Sequence, residues 1–80
     1  MTTKEIIENL GLYNVKVYKV EDRGDYELVT IFGGFNGSAM WGVYLEQIQN
    51  IMEEFEKCWL IDLNNDCLDD SWKLRIGIRK

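Results

Sequence analysis

The chain predicts an α+β fold: a small, mainly antiparallel sheet of 3–5 strands with two helices packed on one face. Three observations predict it. Residues 13–32 read as a β-hairpin, residues 46–58 carry a helical apolar stripe, and residues 72–79 alternate apolar and basic side chains without a fault. Eighty residues form one domain, 1–80, with no room for a second. A chain this short buries only about 60% of its unfolded surface, so a deep substrate cavity would be costly to build.

The elements follow in order. Thr2 and Glu5 fit a capping box and Gly11 stands where a helix would end, so Ile6, Ile7 and Leu10 predict a short helix over about residues 3–10. Over residues 13–20, Tyr13, Val15 and Val17 alternate with Asn14, Lys16 and Tyr18, the period of a strand. Residues 21–25 form a turn, and 26–32 a second β-rich run. The Arg23-Gly24-Asp25 tripeptide is read as turn chemistry rather than as an adhesion motif.

Residues 33–38, rich in glycine, break the chain. The glycines lack both the spacing of a dinucleotide loop and the Lys-Ser/Thr ending of a P-loop. Residues 40–45 fit either a third strand or the start of a long helix, because Trp41, Tyr44, Leu45, Ile48, Ile51, Met52 and Phe55 keep helical spacing. Gly42 would cost that helix about 1 kcal/mol relative to alanine, and the strand is preferred on this ground. From 46 to 58 the helix is clear, with Glu46, Gln49, Asn50, Glu53, Glu56 and Lys57 opposite the stripe. Residues 59–63 predict a short buried strand and 64–71 an acidic loop. In the last strand Trp72, Leu74, Ile76 and Ile78 face the core, while Lys73, Arg75 and Arg79 face water.

Charge is unevenly distributed. Fourteen acids against nine bases give −5 overall. Residues 46–70 hold eight acids and only Lys57, net −7, whereas residues 71–80 hold four bases and no acid, net +4. Histidine is absent, which removes every triad or dyad built on imidazole and leaves a cysteine nucleophile without its usual base. No enzymatic activity is expected. Cys58 and Cys67 read as reduced thiols, since two cysteines without histidine make neither a disulfide scaffold nor a zinc site. Asp62, Asn64, Asp66 and Asp70 match part of a calcium loop, yet Cys67 stands where glycine is required and Lys73 where the bidentate glutamate belongs. Neither metal nor cofactor is expected. The N-terminal residues contain Glu5 and Glu8 and lack the pattern of a signal or transit peptide, so the expected compartment is the cytoplasm, with no membrane association.

The acids are the strongest lead. Glu46, Glu53, Glu54, Glu56, Asp62, Asp66, Asp69 and Asp70 predict a surface complementary to a basic protein, such as a nuclease or a nucleic-acid-binding effector complex, whose association it would steer. In size, acidity and lack of catalytic residues the chain resembles, in general character, immunity proteins and phage-borne inhibitors such as anti-CRISPRs. No motif assigns it to one family. The alternative is a small nucleic-acid-binding or regulatory domain using Lys16, Tyr18, Lys19, Lys73, Arg75 and Arg79 on one sheet face. A sequence pI near 4.6 opposes direct nucleic-acid binding by the chain as a whole. A third reading is self-association through Trp41, Trp59 or Trp72.

Overall fold

A computed structural model describes residues 2–12, 15–34, 41–66 and 71–80, with only the backbone described for 41–45, 65 and 66. The order is α1 (Thr3–Glu8), β1 (Val15–Asp22), β2 (Tyr26–Gly34), α2 (Trp41–Glu53), β3 (Cys58–Asp66) and β4 (Ser71–Arg79). The four strands form one antiparallel sheet in the order β1-β2-β4-β3.

Local chemistry sets the element ends. The Thr2 hydroxyl accepts from the Glu5 amide, and the Glu5 carboxylate accepts in return from the Thr2 amide, so the capping box forms as predicted. The β1–β2 turn tightens to three residues. Gly24 adopts a left-handed φ of 89° there and donates to Asp22 Oδ1 at 2.9 Å.

Three expectations need correction. Residues 41–45 are helical, continuous with the Ile48 and Ile51 stripe, so that stripe outweighs the propensity cost of Gly42. The helix stops at Glu53 rather than running to 58. Its last turn tightens, with the Glu54 and Phe55 amides donating three residues back, and the acids at that end oppose the helix dipole with no basic residue to offset them. Finally, β3 runs from Cys58 to Asp66, so residues 64–66 lie in a strand instead of a loop. Residues 13–14 and 67–70 lie outside the described residues.

Register sorts the side chains onto two faces. One carries Val17, Ile31, Leu74 and Leu63 in a row, with Val20, Val29, Ile76 and Leu60 in the next. A bulge between Val17 and Lys19 lets Val17 and Val20 share this face, against simple alternation. Val17, Val29, Ile31, Trp72, Leu74, Ile76 and Ile78 form one buried cluster with Ile7 of α1 and Ile48 and Ile51 of α2. The core run of β4 is as predicted. Its basic partners differ: Lys73 and Arg75 are half-buried, because β4 is a central strand flanked on both sides, and only Arg79 is fully exposed.

Two glycines admit an indole each, with different consequences. A Cβ on Gly33 would lie 2.1 Å from the Trp72 ring, which is fully buried, whereas one on Gly77 would lie 2.4 Å from the half-exposed Trp59 ring. Gly33→Ala is expected to cost about 1–3 kcal/mol by overpacking. Gly77→Ala should cost less, because Trp59 can swing into solvent. Chemical denaturation of the two variants checks the order.

Candidate functional site

The outer strands of a sheet expose unpaired amides and carbonyls, and natural proteins usually guard them with charge, bulges or cover. β1 is guarded. It carries Lys16, Lys19, Glu21 and Asp22, and α1 packs against it. Lys19 and Arg23 each approach the Glu21 carboxylate at 2.6 Å and hold its pKa below the usual range. Lys80 and the Gly24 amide do the same for Asp22.

β3, the other outer strand, has a bulge and Asp62 but opens with an exposed apolar run. Trp59, Leu60 and Ile61 are 41%, 52% and 41% exposed, three large apolar residues in succession. This corrects the expectation of a buried strand at 59–63. Among the described residues the strand pairs only with β4, and an irregularity between Leu60 and Asp62 swings Ile61 out of the alternation. Trp59 lies over Gly77 and contacts Tyr26, ring centroids 5.2 Å apart, so one side of the indole is supported. Cys58, at the start of the strand, donates its thiol to the Met52 carbonyl, and burial pushes its pKa up, which makes it a poor nucleophile.

The predicted acids divide into groups. Glu53, Glu54 and Glu56 are exposed at the α2–β3 junction, directly before the apolar strip. Glu46 is exposed two turns earlier, in line with Gln49 and Glu53, and Gln49 Nε2 donates to Glu53 Oε1 at 3.0 Å. Asp62 does not join them. It is half-buried on the sheet, where Arg75 Nη2 donates to its Oδ2 at 3.1 Å and Asn64 donates to the same oxygen at 3.0 Å. Asp66 closes β3, opposite Ser71, with its backbone alone described. Asp69 and Asp70 lie outside the described residues. Residues 62, 64 and 66 are spaced along an extended strand, about 6.6 Å apart in pairs, unlike the ligands of a curled calcium loop.

The opposite sheet face carries a second group. Lys16, Phe32, Lys73 and Asn64 form one row; Lys19, Thr30, Arg75 and Asp62 the next; then Glu21, Leu28, Gly77 and Trp59. Tyr18 stacks edge-on against Phe32, centroids 5.1 Å apart, and is 64% exposed.

No helix among the described residues is long and apolar enough to cross a membrane. No family model matches this chain, and neither a curated protein nor a solved structure is significantly similar to it.

Proposed function

We propose that this chain is a non-catalytic protein-binding module. Its contact surface is the outer strand β3 together with the acids at the α2–β3 junction. The observation that carries this reading is the exposed run Trp59-Leu60-Ile61 beside Glu53, Glu54 and Glu56. An apolar centre with a polar rim is the anatomy of protein interfaces, and a supported tryptophan is the residue type most often found at their energetic centre. The backbone of β3 adds hydrogen-bonding groups that a partner strand could use. In this reading both helices cover the sheet face of Val17, Ile31 and Leu74, because Ile7, Ile48 and Ile51 share its buried cluster, and the edge of β3 stays open.

Charge selects the kind of partner. Pairing β3 with a second copy about its midpoint would set Asp62 opposite Asp62 and Cys58 opposite Asp66, with Glu53, Glu54 and Glu56 close to the same acidic end. Like charges facing each other across strands are destabilising, so the acids act against self-pairing and favour a basic partner. The partner class that fits is a nucleic-acid-handling protein, such as a nuclease or an effector complex, with an apolar cleft bordered by lysine and arginine. An inhibitor masking such a cleft would act in the cytoplasm, where its target works.

Two outcomes follow. The wild-type chain is expected to be monomeric in dilute buffer, and Glu53→Gln, Glu54→Gln and Glu56→Gln together should promote self-association, read by sedimentation velocity. Reversing the same three acids to lysine should slow association with the basic partner about tenfold or more and remove most of its salt dependence. Stability should change within about 0.5 kcal/mol per site, since all three are exposed. Stopped-flow association against a panel of nucleases and nucleic-acid-binding complexes tests the reading. A triple reversal that associates as fast as wild type would refute the acidic contact.

A further inference from the structure

We propose that the sheet face opposite the buried cluster binds single-stranded nucleic acid, with Phe32 and Tyr18 as stacking rings and Lys16 and Lys73 as phosphate contacts. Of the strip on β3 only Trp59 shares this face, two rows from Phe32, and the site does not depend on it. Register carries the argument. Lys16 and Lys73 flank Phe32 on either side in one row across β1, β2 and β4. Tyr18 bulges from β1 against the same ring, and both rings remain exposed. Aromatic rings offered from a small sheet between cations are the arrangement on which unpaired bases stack while their phosphates are neutralised.

The chain's net charge opposes nucleic acid, but the face does not share that charge. Five cations in register there, Lys16, Lys19, Lys73, Arg75 and Arg79, stand against three acidic positions, Asp66 opposite Ser71 and the ion-paired two, Glu21 and Asp62. Lys19 and Arg75 are engaged by those two acids, while no ion pair holds Lys16 or Lys73 among the described residues. Screening over about 8 Å at physiological ionic strength makes the charge of the face, rather than that of the whole chain, what a bound strand meets. Duplex DNA presents no unstacked base to Phe32 and Tyr18, so the site discriminates in favour of single strands.

The test is fluorescence anisotropy of a labelled oligothymidine, with its duplex and polyglutamate as competitors. The wild-type chain should bind the single strand in preference to both. With Lys16 and Lys73 neutralising two phosphates, affinity should fall about sevenfold between about 50 and 200 mM salt. Lys16→Glu with Lys73→Glu should weaken binding at least about tenfold, and Phe32→Ala several-fold, with circular dichroism unchanged. Leu60→Lys should bind the oligonucleotide like wild type, which separates this site from the β3 surface. Three results would each overturn the proposal: no anisotropy change at low salt, equal binding by the double lysine reversal, or preference for polyglutamate over the oligonucleotide.

Discussion

Ile76→Asp should leave the chain largely unfolded at room temperature. Ile76 is fully buried in the central strand β4, between Val29 on β2 and Leu60 on β3. A carboxylate there loses its hydration and gains no partner, at a cost of several kcal/mol. A domain of this length has on the order of 4–12 kcal/mol of stability in total, so one such change removes much or all of it. Circular dichroism and denaturant titration would read the loss. The neighbouring Arg75→Asp provides the contrast. Sequence alternation alone predicts a nearly silent change on a solvent face. The ion pair with Asp62 raises that expectation, because the substitution sets two half-buried carboxylates side by side. An intermediate loss of about 1–2 kcal/mol is expected. Equal destabilisation by both variants would contradict the assigned faces.

The second large effect is on binding. Leu60→Lys together with Ile61→Lys should abolish association with the proposed basic partner while leaving the fold in place. Burying side chains of this size contributes about 1.5–3 kcal/mol each, and the substitution adds two cations facing a basic rim. The combined loss should reach at least about a hundredfold in Kd. Both residues are about half exposed in the free chain, so thermal stability should hold or rise slightly. Trp59→Ala should weaken binding by a similar order, as an aromatic anchor does. It should also free the space above Gly77, where the indole now lies.

How much of this was legible in the sequence differs from element to element. The capping box at Thr2 and the alternation of Trp72, Leu74, Ile76 and Ile78 were legible because each depends on near neighbours in the chain. Helix α2 was half legible: the stripe through Ile48 and Ile51 was plain, whereas its start at Trp41 required the stripe to outweigh Gly42. The exposure of Trp59, Leu60 and Ile61 was not legible. A short apolar run reads as a buried strand, and only the strand order, with β4 inserted beside β2, leaves β3 at the edge. The acids show the same limit. Composition placed eight of them in residues 46–70, yet pairing across the sheet turns Asp62 toward Arg75 and leaves Glu53, Glu54 and Glu56 as the exposed group at the strand's entrance.

Hydrogen–deuterium exchange of the chain with and without the proposed basic partner tests the proposed binding surface most directly. β3 is an outer strand, so its outward amides exchange readily in the free protein and should be shielded when a partner covers them. The predicted result is strong new protection confined to residues 53–63, lost with the Leu60→Lys/Ile61→Lys variant. A tight complex in which these residues exchange as in the free chain, with protection elsewhere, would contradict the assignment of β3 as the contact surface.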